Sequence, residues 1–161
     1  MAWGRLDSAS LSLRHQLESY AAIECESILP GVWNYINEAK QLGLKLAIAS
    51  SSPHSWVDAH AERLGIFHYF DVVICKDDVG AGRTKPNPDL FLLALDQLQV
   101  QKNEAVVFED SPNGVKAANR AGVYVVAVPN SVTSLLVIEG ANLILPSLSE
   151  LTLSDLIRKV K

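Results

Sequence analysis

The apolar run Ala105-Val106-Val107-Phe108 ends in two adjacent acids, Glu109 and Asp110, followed by Ser111-Pro112-Asn113-Gly114. Adjacent carboxylates repel each other and lose hydration on burial unless a cation neutralises them. Hard oxygen ligands with little else nearby suit Mg²⁺ better than zinc. A second reading stands beside this one: helix N-termini collect negative charge, and Asp110 could cap a helix containing Val115. Two more stretches carry matching chemistry. Ser50-Ser51-Ser52 follows an apolar run, and Pro53 then suits the first turn of a helix, where its missing N–H is not needed. Hydroxyls and free backbone N–H groups at such a junction cradle phosphate; alternatively, one serine is an ordinary N-cap. Lys85 lies in Arg83-Thr84-Lys85-Pro86-Asn87-Pro88, where the prolines restrict the backbone. A stiff loop aiming a cation serves a phosphate or carboxylate; the alternative is a solvated lysine. Hydroxyls, a lysine and a carboxylate pair, in this order, describe a magnesium-assisted phosphoryl-transfer site.

Such groups need elements to position them. Apolar residues at three- and four-residue steps predict a helix over residues 8–27 and another from Val32 to the stop at Gly43. Residues 44–49, 70–75, 105–108, 123–128 and 142–145 read as strands. Helices are expected around Trp56–Leu64, over 90–98 and 115–121, and from about 148 to the end. Strands alternating with helices give right-handed crossovers and a mainly parallel sheet covered on both faces. The unbroken apolar runs at 44–49 and 123–128 fit burial on both sides. In such sheets ligands sit at the carboxyl ends of strands, where all three polar groups fall.

The 161 residues fit one domain, and 48% apolar with 20% charged residues is ordinary for a globular protein. A net charge of −4 with no basic run argues against a nucleic-acid surface. No apolar stretch approaches the roughly 20 residues of a membrane helix, and Met1-Ala2-Trp3-Gly4-Arg5 lacks a signal peptide's apolar segment. Cys25 and Cys75 are far apart and read as free thiols, so a cytoplasmic setting is expected. No Gly-x-Gly-x-x-Gly and no Walker sequence supports a nucleotide-binding domain. Among the histidines, His54 is a further candidate phosphate contact; His15 and His68 read as ordinary surface residues.

The stretches LKLAIASSSP, GRTKPNPDLF and VFEDSPNGVKAANRAGVYVVAVPN resemble three of the motifs of the haloacid dehalogenase superfamily. The similarity is greatest to its branch of sugar-phosphate phosphatases and beta-phosphoglucomutase. ILPGV at Ile28 resembles that branch's exit from its helical cap, and GANLILPSLSEL at Gly140 its last strand and helix. The resemblance implies a Rossmann-like three-layer αβα core over 29–161, with 1–28 a remnant of the cap. It implies that Ser50 holds the transferring phosphoryl group and that Lys85 neutralises it. Ser51 and Ser52 would be secondary phosphate contacts. Glu109 and Asp110 would hold Mg²⁺, with Asp110 the surer ligand. The substrate would be a small phosphorylated metabolite, a sugar phosphate by family.

The family's remaining motif is an apolar strand running into Asp-x-Asp, whose first Asp attacks phosphorus. No Asp-x-Asp precedes Ser50; Asp7 is the one Asp before His54, and it reads as a helix cap. The chain is therefore expected to begin inside the cap, to lack the family's first central strand, and to be inactive alone. The alternative is a non-catalytic relative that binds phosphate and Mg²⁺ or serves as an interaction module. The missing strand would leave open edges at 44–49 and 105–108. Three outcomes are open: the edges pair directly, a second copy fills the gap in a homo-oligomer, or a missing N-terminal segment supplies the strand.

Overall fold

A computed structural model describes residues 26–160. The expected helix at 8–27, with Asp7, His15 and Cys25, lies outside the described residues, apart from Glu26 and Ser27, which are not helical. The elements are α1 (Val32–Gln41), β1 (Ala47–Ala49), α2 (His54–Arg63), β2 (Val72–Ile74), α3 (Lys76–Val79) and α4 (Asp89–Leu98). After these come β3 (Val106–Glu109), α5 (Pro112–Ala121), β4 (Tyr124–Ala127), β5 (Leu143–Ile144) and α6 (Leu153–Val160). Among the described residues every strand pairing is parallel, as alternating strands and helices require.

The strands form two sheets, β1-β2 and β3-β4-β5. The edges of β1 and β3 do not pair with each other, so direct closure is not what the chain does. Helices hold the halves together instead. On one face α4 packs on both: Leu90 and Ala94 cluster with Ile74 and Val79, while Phe91 clusters with Val115, Val123 and Val125. Val126 points to the opposite face, since strand side chains alternate. There α1 and α6 supply Tyr35, Ala39, Leu153 and Leu156. Lys40 of α1 also pairs with Asp71 at 2.9 Å, and Asp71 accepts the N–H of Leu46 at 2.7 Å, tying α1 to the smaller sheet.

The start of α1 needs Gly31. Its φ is 86°, and a Cβ there would come within 2.4 Å of the Leu148 carbonyl carbon. Glycine alone lets this helix rest on the backbone ahead of α6. Strands are shorter than their apolar runs, because Leu44 closes the end of α1 through its N–H to Ala39 O and Lys45 reaches Leu98 O. The last helix starts at Leu153, not near 148: Thr152 and Glu38 cap it there. Among the described residues no helix is long and apolar enough to cross a membrane.

Between the two sheets lies a cavity of about 580 Å³, lined by β1, by the end of β3 and by the loop after β4. Its position depends on α4, so α4 is the element to test. Leu90→Ala, at a fully buried site, should lower the unfolding free energy by about 2–5 kcal/mol. Leu92→Ala, on the same helix but exposed, should stay within about 0.5 kcal/mol. Urea denaturation followed by circular dichroism reads both.

Candidate functional site

The site grows from the end of β3. Glu109 is the one buried polar or charged residue among those described, 7% exposed. Its Oε1 is ion-paired with Lys85 Nζ. Its Oε2 accepts the Ser111 hydroxyl at 3.2 Å. Ser111 in turn accepts the N–H of Gly114 at 3.0 Å and caps α5, which starts at Pro112. This corrects the expected cap and the expected helix start: Ser111 does the capping that Asp110 was a candidate for, and Ser-Pro is a helix-start pair. The Glu109 carboxylate lies so close over the first turn of α5 that a Cβ at position 114 would come within 1.8 Å of Oε2.

Lys85 reaches Glu109 from the loop between α3 and α4. Its ammonium lies 5.0 Å from the Phe91 ring centroid. The prolines are not the loop's sole restraint. Arg120 of α5 donates to Pro86 O at 2.7 Å, and Asn87 donates to Gly82 O at 2.7 Å. The lysine is thus aimed, with a side chain only 15% exposed, and is not a solvated one.

Asp110 is placed differently. It is half-buried, lines the cavity, and takes one hydrogen bond, from Asn130 Nδ2 at 2.7 Å. Neither Asn130 nor Gly114 was singled out from sequence; the Pro129-Asn130 pair after a strand marks a turn, but nothing local says it faces Asp110.

The serines stand at the end of β1. Ser50 continues the strand pairing through its N–H to Ile74 O at 2.8 Å. Its hydroxyl oxygen accepts the N–H of Ser52 at 3.1 Å. None of the three caps α2: Pro53 holds the N-cap position, without a side-chain cap. The structure therefore gathers Lys85, Glu109 and Asp110 on the cavity wall with Ala49, while Ser50, Ser51 and Ser52 follow just beyond it and are not among the lining residues.

His54 does not line the cavity either. Its ring sits between Asp58 at 3.3 Å and Asp78 at 2.8 Å, and the His54 backbone N–H donates to Asp77. The bond to Asp58 first, then that to Asp78, outweighs burial and raises the imidazole above its ordinary pKa. Cys75 is buried; burial, then Asp58, Asp78 and Asp77, push its thiol up to about 11. It is neither a thiolate nucleophile nor a metal ligand near neutral pH.

Among the described residues no three His, Cys, Asp or Glu side chains cluster to hold a metal ion. Mg²⁺ does not need such a cage; it takes one or two carboxylates, with water and phosphate completing its shell. Asp110, with one oxygen uncommitted, fits that demand. Both oxygens of Glu109 already have partners.

Two outcomes follow from this geometry. Gly114→Ala should displace the Glu109 carboxylate and destabilise the chain by about 1–3 kcal/mol, as overpacking does, read by urea denaturation. A raised folded pKa means His54 stabilises below its unfolded value of about 6.5 and loses that contribution as pH rises through the folded value. The melting-temperature gap between the parent chain and His54→Gln should be widest below about pH 6 and should close toward alkaline pH.

Comparison with known proteins agrees with this architecture. The chain is 46% identical over 135 residues to a Bacillus subtilis protein named "Putative phosphatase YhcW", covering 84% of this chain and 60% of that one. It is 42% identical over 94 residues to a phosphorylated carbohydrates phosphatase of Thermotoga maritima, covering 58% and 43%. The chain spans about half the length of the curated relatives it matches. The crystal structure of CbbY from Rhodobacter sphaeroides in complex with xylulose-(1,5)-bisphosphate superposes with a TM-score of 0.76 at 31% identity, over 94% of this chain and 70% of that one. Residues 4–122 match the haloacid dehalogenase-like hydrolase family, and the chain belongs to it.

Proposed function

We propose that this chain carries the phosphate-handling part of a Mg²⁺-dependent phosphatase or phosphomutase acting on a small phosphorylated metabolite, a sugar phosphate. The observation that carries the reading is the Lys85–Glu109 ion pair set beside Asp110 on the wall of the cavity between the sheets. The name of the Thermotoga relative, a phosphorylated carbohydrates phosphatase, and the sugar bisphosphate in the CbbY crystal support the substrate class.

In this reading Lys85 neutralises the transferring phosphoryl group, and Glu109 aims the lysine. Ser50 donates its hydroxyl hydrogen to a phosphoryl oxygen; its oxygen accepts from Ser52, so the hydrogen is free to do so. Ser51 and Ser52 are secondary contacts. Asp110 is the direct Mg²⁺ ligand, and Glu109 lies beside it in a supporting role. Bound there, Mg²⁺ would offset charge on the phosphoryl oxygens and orient them. Residues 29–161 form the core, and 1–28 belong to the cap. The gap between β1 and β3 is the seat of a further strand: a preceding segment of a longer chain would bring the attacking aspartate with it, whereas a second copy in a homo-oligomer would fill the gap without one.

A second reading, a phosphate- and Mg²⁺-binding module without catalysis, is favoured by one observation: no Asp-x-Asp occurs in the chain. Fusing an apolar strand ending in Asp-x-Asp ahead of residue 1 separates the two. On the first reading the fusion hydrolyses an aryl phosphate and sugar phosphates with Mg²⁺, and Lys85→Ala and Asp110→Asn each lower kcat/KM about 100-fold or more. A fusion with no Mg²⁺-dependent turnover favours the module. Turnover unaffected by both substitutions refutes the site.

A further inference from the structure

Beyond the two acids, we infer that Asn130 is a positioning residue: it fixes the Asp110 carboxylate in one orientation and keeps one oxygen, with its charge, free for a divalent cation. This rests on Asp110 as the metal ligand in the proposed function.

The placement begins with strand pairing. Val128 donates to Glu109 O at 2.7 Å, extending the β3–β4 register past the strands. Residues 128–130 therefore run beside 109–110, which brings Asn130 to Asp110. The Asn130 side chain is held on its other side. Oδ1 accepts the N–H groups of Val132 at 2.8 Å and Thr133 at 2.9 Å. Its own N–H donates to Thr133 Oγ1 at 2.9 Å, and Ser134 donates to its carbonyl at 2.8 Å. An amide whose oxygen takes two backbone donors must present its nitrogen to the opposite side. That nitrogen is the group 2.7 Å from Asp110 Oδ2.

Asp110 Oδ1 has no hydrogen bond among the described residues. It also reaches solvent, because His60 Nδ1 is the one buried side-chain polar atom without a partner there. Both Asp110 and Asn130 line the cavity. The contrast with the neighbouring acid gives the arrangement its meaning. Glu109 is held by a cation, so its charge is cancelled; Asp110 is held by a neutral amide, so its charge is not. A lysine or arginine at 130 would fix Asp110 equally well and would cancel the attraction for a metal ion.

The test uses Mn²⁺ as the probe on the whole chain, with free ion counted by electron paramagnetic resonance. The parent chain should bind Mn²⁺, and Asp110→Asn should abolish that binding. Asn130→Ser keeps an oxygen for the Val132 and Thr133 N–H groups but cannot reach Asp110. It should melt near the parent temperature and bind Mn²⁺ about tenfold or more weakly. Asn130→Ala should weaken binding as much, with some loss of stability. Thr133→Ala, which loosens the same turn without touching Asp110, should leave the Mn²⁺ affinity unchanged. If both Asn130 variants bind Mn²⁺ as the parent does, Asn130 merely closes its own turn and the inference fails while the metal reading stands. If the parent chain binds no Mn²⁺, or Asp110→Asn binds it unchanged, the metal reading itself fails and takes this inference with it.

Discussion

The buried ion pair between Lys85 and Glu109 is the contact on which the rest of the site depends. It joins the loop before α4, the end of β3 and the first turn of α5 at one point. Removing either partner would strand a buried charge, a loss of about 3–5 kcal/mol. The chain therefore cannot vary this pair for chemistry without also risking its fold. The neighbours are built to suit it. Ser111 shares its hydroxyl between the Glu109 carboxylate and the helix N-terminus, Gly114 makes room, and Arg120 holds the lysine loop from α5. Cavity wall and folding core are continuous here, and the Lys85 partner is why a charge with so little exposure persists in an otherwise apolar interior.

Much of this was legible in the sequence because it is local. Apolar runs ending in polar residues gave the strand ends, and Gly and Pro gave the breaks. What was not legible is carried by partners distant in the chain. Only half of the start of α6 is local, Thr152 accepting the Asp155 N–H; the other half is Glu38, more than a hundred residues earlier, which accepts the N–H groups of Leu153 and Ser154. Asn130 likewise acquires its role only once β4 lies beside β3. The Ser50 to Ser52 run looked like a helix cap or a phosphate cradle. The structure removes the cap reading, because Pro53 stands at the cap position and the Ser50 hydroxyl turns to Ser52. The short helix α3 has no counterpart among the expected elements: Asp78 accepts the Cys75 N–H at 2.7 Å and closes the turn.

The two acids at the end of β3 began as an electrostatic puzzle. Their neighbours resolve it by treating them unequally. One carboxylate is neutralised and enclosed; the other is steadied by a dipole and left charged at the edge of a cavity. Glu109 is the last residue of β3 and Asp110 the first beyond it; both line the cavity, and it is their different partners, Lys85 for one and Asn130 for the other, that separate their environments.

The split sheet has a further consequence. Ser50 and Asp110 belong to different sheets, and among the described residues no ladder of hydrogen bonds runs between those sheets. The spacing between them is set by helices, chiefly by how Leu90 and Phe91 of α4 seat on either side. Hydrogen-bonded strands fix distance tightly, whereas packed side chains permit small sliding. The width of the cavity between the sheets is thus a packing property, adjustable by the volume of a few apolar side chains that do not line it.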